Sequence, residues 1–154
     1  MDQSSIVFIS IISAAGLAAL VLAAFFVARA WKHRRRSLEM DDMEGHEFEY
    51  FCADLLRDKG FLDVEVTRGS GDFGVDILAE KDGVTYAVQC KCYNAPIGIK
   101  AVQEIYAGRD YYDRMVGGVM TNQYFTSAAV DAAKKLKILL WDRGYLESMM
   151  EELD

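Results

Sequence analysis

The chain has 154 residues and a net charge of −7, and 52% of its residues are hydrophobic. This length fits one domain with a small additional segment. The charge is uneven, because residues 1–36 carry +4 whereas the remainder holds 12 Lys and Arg against 23 Asp and Glu, a balance of −11. So acidic a domain argues against non-specific DNA binding through charge alone, since neutralisation of phosphates supplies most of that affinity.

The N-terminal segment predicts a membrane anchor. Ile6–Ala28 is a run of 23 residues without a charge, long enough to cross a bilayer with some tilt. Arg29 and the basic cluster Lys32–Arg36 follow it, and no basic residue precedes it, unlike a cleaved signal peptide. The positive-inside rule then predicts a single-pass protein of the inner (plasma) membrane, with the N-terminus outside and the rest cytoplasmic. A signal peptide and a buried core helix are the alternatives.

Residues 37–44 are predicted to be a polar linker, and residues 45–154 the main domain. Asp41 or Asp42 is suited to cap a first helix that ends at Lys59 before a glycine. Glu49 lies beside the apolar stripe of this helix and is either a solvated acid or directed toward a site, and Glu is rarely buried without a partner. The stripe, at helical spacing, comprises Phe48, Phe51, Cys52, Leu55, Leu56 and Lys59.

A first strand is predicted at Phe61–Thr67, and a glycine-rich loop, Arg68–Gly74, follows it. The loop is either a flexible connector or a segment whose backbone N–H groups approach a phosphate, and a glycine-rich loop alone is weak evidence. Ser70 and Asp72, within the loop, are secondary candidates for the site.

Two strand-like runs, Val75–Glu80 and Val84–Cys92, flank Asp82-Gly83, which predicts a hairpin with a two-residue turn. In that register Lys81 pairs with Val84 and Asp76 falls opposite Gln89, with Cβ atoms about 5 Å apart. Lys91 shares their face because strand side chains alternate. The other face is apolar and suited to a core, and carries Ile77, Ala79, Tyr86, Val88, Cys90 and Cys92. A three-residue loop would scatter the polar group.

A carboxylate, an amide and an ammonium therefore meet on one face of the hairpin. Asp76 and Gln89 offer oxygen atoms, which are the ligands of hard cations such as Mg²⁺. Lys91 would orient or polarise an attacking water. This combination of a carboxylate, an amide and an ammonium group suits metal-assisted hydrolysis of a phosphodiester.

The second half of the chain alternates helices and strands. Its predicted elements are a helix at Ile97–Arg114, a strand at Gly117–Thr121, a helix at Phe125–Lys137 capped by Thr126 or Ser127, a strand at Ile138–Trp141 and a short acidic helix opened by Asp142. Tyr106, Tyr111 and Tyr112 suit either stacking on nucleic-acid bases or ordinary packing. The order α-β-β-β-α-β-α-β predicts an α/β fold, a mixed central sheet flanked by helices.

Three cysteines, Cys52, Cys90 and Cys92, fit a reducing compartment. A zinc site formed with His33 and His46 is disfavoured, because no CxxC spacing is present and buried cysteines usually behave as small hydrophobic residues.

The ordered motifs resemble the Mrr-like (type IV) restriction endonuclease catalytic domain of the PD-(D/E)XK nuclease superfamily, over roughly residues 42 to 146. The residues that carry the resemblance are Glu47-Phe48-Glu49, Leu55-Leu56, Gly60-Phe61, Ser70-Gly71-Asp72, Gly74-Val75-Asp76, Gln89-Cys90-Lys91, Thr121-Asn122 and Phe125-Thr126. The resemblance implies a restriction-endonuclease-like core, with Asp76 and Gln89 as Mg²⁺ (or Mn²⁺) ligands, Lys91 as the catalytic lysine and Glu49 as an acid turned toward the site. It also implies that Gln103 faces the active site. Gln89 departs from the superfamily's usual second acid.

The leading hypothesis is a membrane-tethered, Mg²⁺-dependent DNA endonuclease that restricts foreign or modified DNA. A dimer is expected if one site per chain cuts both strands. The alternative is a nuclease fold, weakly active or inactive, that binds DNA or a protein partner at the membrane. A structural membrane protein acting through its acidic face is a third reading, which leaves the polar hairpin residues unexplained.

Overall fold

The computed structural model describes residues 16–28, 40–67 and 73–151, and the chain divides into two compact units, Met1–Arg36 and Ser37–Asp154. In the first unit, residues 16–28 form a helix with exposed side chains. Across the described ranges, no helix is long and apolar enough to cross a membrane. Residues 6–15 of the predicted span, and the basic cluster that follows it, lie outside the described residues.

The second unit is a mixed five-stranded sheet with helices on both faces, as the sequence predicts. Its elements are α1 (Gly45–Asp58), β1 (Leu62–Val66), β2 (Ile77–Lys81), β3 (Val84–Lys91), α2 (Ile99–Tyr111), β4 (Val116–Thr121), α3 (Ser127–Leu136), β5 (Ile138–Trp141) and α4 (Arg143–Glu151). The strands lie in chain order, β1-β2-β3-β4-β5. β1, β2 and β3 pair antiparallel, whereas β3, β4 and β5 pair parallel, so β3 joins the two kinds of pairing.

Each face of the sheet has its own apolar core. The α1 face, which α1 and α4 cover, buries Phe48, Cys52, Leu56, Ile77, Val88, Cys90, Met120, Trp141 and Leu146 among others. The α2 face, which α2 and α3 cover, buries Val75, Ala87, Val102, Ile105, Val119, Ala129 and Ile138 among others. Burial on both faces explains the continuous apolar run of β4, as expected for a parallel strand inside a sheet.

The first helix begins later than predicted. Glu44, instead of Asp41 or Asp42, is its N-cap residue, and the Glu44 backbone N–H donates to the Glu47 carboxylate at 3.0 Å. Asp41 is not available for capping, because its carboxylate accepts hydrogen bonds from the side chains of Asn122 and Arg143. Met40 is fully buried, so the predicted linker 37–44 includes residues that pack onto the domain.

The hairpin has the predicted register. Lys81 pairs with Val84, and the ladder continues to Ile77 and Val88. Asp82 and Gly83 have φ of 53° and 77°, the positive values that two-residue turns of this kind need at both central positions. Beyond Ile77 the ladder shifts, because the Asp76 backbone N–H also donates to the Val88 carbonyl, at 2.8 Å. Asp76 and Ile77 therefore both lie opposite Val88, which is the pattern of a β-bulge. A bulge changes the direction in which the neighbouring side chains point.

Candidate active site

Asp76 immediately precedes β2, at the end of the hairpin opposite the turn. Its Oδ2 accepts a hydrogen bond from the backbone N–H of Cys90 at 2.6 Å. Cys90 stands between Gln89 and Lys91 in the chain, so this contact brings the predicted acid beside the part of β3 that carries the predicted amide and ammonium. The Asp76 carbonyl accepts from the backbone N–H of Thr67, the residue after β1, at 2.9 Å, so the backbone of the acid is held from that side as well.

Gln89 is a fully buried amide with one satisfied end. Its side chain is 0% exposed, and its Nε2 donates to Glu104 Oε2 at 3.0 Å. Its Oε1 has no hydrogen-bond partner within the described residues. A buried acceptor left unpaired lowers the stability of the fold by about 1–3 kcal/mol. A ligand bound to this oxygen would remove that cost.

Glu104, on α2, is a member of the site that the sequence analysis did not identify. Besides Gln89 it contacts two lysines, Lys91 at 3.4 Å and Lys100 at 3.5 Å. Partial burial raises the pKa of Glu104, but the hydrogen bond from Gln89 and the two nearby ammonium groups outweigh burial. The pKa of Glu104 is therefore lowered, and its carboxyl is ionised at neutral pH.

Lys91 lies on the α2 face with Gln89, since both contact Glu104. Its side chain is 22% exposed and lines a cavity of about 220 Å³, together with Tyr93, Lys100 and Glu104. Two ammonium groups beside an accessible cavity suit an anionic ligand. A larger cavity, of about 680 Å³, lies near the hairpin turn and is lined by residues such as Phe61 and Trp141, but by none of the predicted site residues.

Glu49 is largely covered, with a side chain 21% exposed and its Oε2 at 2.8 Å from His46 Nδ1. It lies close enough to Cys90 to affect that thiol. Burial, the Cys52 thiol, Asp76 and Glu49 together raise the pKa of Cys90 well above its usual value. Glu49 and Asp76 thus share Cys90 as a neighbour, and the role of Glu49 at the site stays a prediction.

The backbone before Asp76 packs tightly against the site. Gly74 has φ of 76°, and a Cβ there would lie 2.8 Å from Gln89 Nε2 and 3.2 Å from Glu104 Cβ. A Cβ on Gly108 of α2 would lie 2.8 Å from the Phe73 carbonyl oxygen. Two glycines therefore let this segment and α2 approach closely enough for Gln89 and Glu104 to meet.

The other predicted candidates have different surroundings. Gln103 is exposed, and its neighbour Glu104 makes the contacts to Gln89 and Lys91. Ser70 and Asp72 lie outside the described residues. Tyr111 stacks on Phe73 with ring centroids 3.9 Å apart, so this tyrosine already has an aromatic partner within the chain.

The donor atoms at this site suit a hard divalent cation. A carboxylate and an unpaired amide oxygen are both oxygen ligands, and Mg²⁺ is often held by one or two carboxylates together with water and substrate phosphates. In the part of the chain that the structure describes, no cluster of three His, Cys, Asp or Glu could hold a metal by itself. The fit therefore rests on Asp76 together with the unpaired oxygen of Gln89.

The sheet and its polar site define a restriction-endonuclease-like α/β domain, and comparison with known proteins agrees. Residues 40–150 match the family model Mrr_cat, described as restriction endonuclease. The chain belongs to this family. A search of the curated proteins finds no match.

Three solved structures have a similar fold. A protein of unknown function, AF1548, is 25% identical with a TM-score of 0.58, over 68% of this chain and 64% of that one. The DNA modification-dependent restriction endonuclease AspBHI is 20% identical with a TM-score of 0.53, over 68% of this chain and 30% of that one. MspJI restriction endonuclease, solved with a 27-mer oligonucleotide, is 19% identical with a TM-score of 0.54, over 80% of this chain and 31% of that one. The chain thus matches less than two thirds of each.

Proposed function

We propose that this domain is a metal-dependent DNA endonuclease that hydrolyses phosphodiester bonds in foreign or modified DNA. The observation that supports the proposal is the hydrogen bond from the Cys90 backbone, which lies between Gln89 and Lys91, to the Asp76 carboxylate, in a chain of the restriction endonuclease family. Asp76 and Gln89 would hold the cation, Mg²⁺ or Mn²⁺, which when bound supplies a Lewis acid and an activated water.

The chain's own side chains account for the remaining tasks. Lys91 lines the cavity, where its ammonium would contact a non-bridging phosphate oxygen and the attacking water. Glu104 holds that ammonium in place through the contact at 3.4 Å. Glu49 adds a negative charge near Asp76, which favours a cation there. Because the domain as a whole is acidic, its affinity for DNA would come from these local charges and from the metal.

The test is cleavage of supercoiled plasmid by the full chain in detergent, with Mg²⁺ or Mn²⁺, on methylated and unmethylated DNA. Asp76→Asn and Lys91→Ala should each lose at least about 100-fold in rate, as removal of one group that stabilises developing charge does. Asp131→Asn, which alters an exposed acid on α3, is the matched control and should cut normally. Full activity in Asp76→Asn would refute the proposal. Absence of cleavage by the parent, with DNA still bound, would favour the binding module instead.

We further propose that Ile6–Ala28 anchors the chain in the inner membrane, with the nuclease domain in the cytoplasm. The support is the uncharged run of 23 residues followed by a basic cluster. Full-length protein should stay with membranes after alkaline carbonate washing, whereas a chain lacking residues 1–36 should not. Release of both forms by the wash would exclude an integral anchor.

A homodimer, with one site for each DNA strand, is the assembly that double-strand cleavage favours. Light scattering with and without DNA measures it directly, and a DNA-bound species of one chain that still cuts both strands would exclude the dimer.

A further inference from the structure

The site has an amide where the PD-(D/E)XK pattern has its second acid. A neutral amide binds a cation less strongly than a carboxylate does, because it brings no net charge. Its carbonyl oxygen must also point at the cation, and an amide can rotate to present its nitrogen instead. A functional site with Gln89 needs something that fixes the orientation of the amide and restores the missing charge.

Glu104 meets both needs. An ionised carboxylate is purely an acceptor, so the Gln89 group that faces it must be the NH₂ group, as the contact of 3.0 Å shows. The carbonyl oxygen of a planar amide then points away from Glu104. This is the same Oε1 that has no partner among residues 40–67 and 73–151. The Glu104 carboxylate, which is hydrogen-bonded to the amide, therefore supplies the missing negative charge.

The packing around this pair prevents the amide from turning elsewhere. Gln89 is 0% exposed, and the Gly74 backbone lies against its Nε2, where even a methyl group would be only 2.8 Å away. Lys91 contacts the same Glu104 Oε2 at 3.4 Å, and the largely exposed Lys100 contacts Oε1 at 3.5 Å. Both lysines keep the carboxylate ionised, and its charge favours the NH₂ end of the amide.

We propose that Glu104 is a positioning residue for metal binding, and that the Gln89–Glu104 pair together takes the place of the second acid. Glu104 orients the Gln89 amide so that Oε1 is presented to the cation, and the charge-assisted hydrogen bond increases the negative charge on that oxygen. The inference rests on the proposed nuclease function, because it concerns the metal of that same site. A purely structural role for Glu104, as an ion-pair partner of the lysines, makes different predictions.

The experiment is calorimetric titration of the full chain in detergent with Mn²⁺, without DNA. Glu104→Gln should weaken Mn²⁺ binding by about 10- to 100-fold, the usual effect of losing a group that orients a metal ligand. Glutamine at position 104 can donate as well as accept, so it no longer dictates which end of Gln89 faces it. Glu65→Gln, a matched change on the exposed side of β1, should leave Mn²⁺ binding unchanged.

The double variant Gln89→Glu with Glu104→Gln provides the decisive comparison. It exchanges acceptor and donor, so a carboxylate at 89 faces an amide at 104 and the pair keeps its total charge. Mn²⁺ affinity should return to the parent value or exceed it, because the ligand is now a carboxylate. An ion-pair role for Glu104 predicts no such recovery, since the double variant still lacks the acid that the lysines contact. Thermal unfolding without metal verifies that each variant is folded.

Wild-type-like Mn²⁺ binding by Glu104→Gln would overturn the inference, and so would a double variant that binds as weakly as Glu104→Gln. Failure of the parent itself to bind Mn²⁺ would overturn it as well. If the parent binds Mn²⁺ and the exchange recovers affinity, but no DNA is cut, the positioning role stands and the proposed nuclease activity fails. The two ideas are thus separable.

Discussion

Strand β3 presents two different surfaces to the two faces of the sheet. Toward the α1 face it turns Val88 and Cys90, which lie in a continuous apolar core. Toward the α2 face it turns Gln89 and Lys91, which meet Glu104. Both sides are closely covered by helices, and Gln89 is as buried as Val88. Burial alone therefore does not distinguish the core from the site.

The difference lies in how polar groups are satisfied. On the α1 face, the Cys90 thiol is buried, and burial raises its pKa and keeps it protonated. On the α2 face a buried amide keeps one unpaired oxygen, and that arrangement costs stability unless a ligand occupies it. The thiol on the α1 face needs no ligand, whereas the unpaired Gln89 oxygen on the α2 face does.

The comparison predicts first that truncating a large buried side chain on the α1 face lowers stability and leaves metal binding at the site unchanged. Phe48 is fully buried there, and Phe48→Ala should lower the free energy of unfolding by about 3–5 kcal/mol through loss of burial and the cavity left behind. Urea denaturation measures this loss. Tyr50→Ala, on the exposed side of the same helix, is the control and should change stability by less than about 0.5 kcal/mol. A drop in Mn²⁺ affinity of folded Phe48→Ala would break the separation of the two faces.

A substitution that adds only a methyl group on the α2 face should affect both stability and metal binding. A Cβ on Gly108 would meet Val75 Cγ2 at 2.5 Å and the Phe73 carbonyl at 2.8 Å, and the carbonyl belongs to the backbone. Gly108→Ala should therefore cost about 1–3 kcal/mol. It should also weaken Mn²⁺ binding, because the displaced segment holds Gly74 against Gln89. Gly45→Ala, in a helix with open space around it, is the matched control. An effect on stability without any on metal binding would contradict this coupling.

The smallest predicted effect is a dependence of stability on alkaline pH. The Cys90 pKa is raised in the folded state, so the folded protein keeps a proton that the unfolded chain loses above its ordinary thiol pKa of about 8.5. This contribution to stability is complete below that pH and decreases as pH rises, by at most about 1.4 kcal/mol per pH unit. Denaturant titrations from pH 7 to 10 should show a shallower decline for Cys90→Ala than for the parent. Parallel declines would show that the thiol titrates alike in both states.

The sequence was sufficient for the parts of the fold set by local chemistry. Asp82-Gly83 defines the turn, and the turn defines the register from Lys81–Val84 to Ile77–Val88. The predicted pairing of Asp76 with Gln89 lies beyond that ladder, and the site built from Asp76, Gln89 and Lys91 stays a prediction. The strand at Ile138–Trp141 is bounded as predicted, and Thr126 is the N-cap residue of α3. The mixed sheet follows from the order of elements. Two-residue turns and alternating side chains leave few choices, which explains this success.

Features that depend on tertiary packing could not be predicted in the same way. Asp41 has the right chemistry for a helix cap, but Asn122 and Arg143, far along the chain, engage its carboxylate. Glu104 is one of many acids on helices, and nothing in its spacing distinguishes it from Gln103 beside it. Its role arises from how α2 packs on the sheet, which depends on Gly74 and Gly108. The bulge at Asp76 likewise involves distant segments, because the Asp76 backbone bonds to both Thr67 and Val88.

The polar contacts of the site are short-range along the chain. The Asp76–Cys90 bond spans 14 residues and the Gln89–Glu104 bond spans 15, so one segment from β2 through α2 contains both. Loops of this length are inexpensive to close, and contacts local in sequence form early in folding. We therefore expect the contacts of Asp76 with Cys90 and of Gln89 with Glu104 to be established by this segment, and the exclusion of water from Gln89 to follow when β4 pairs with β3.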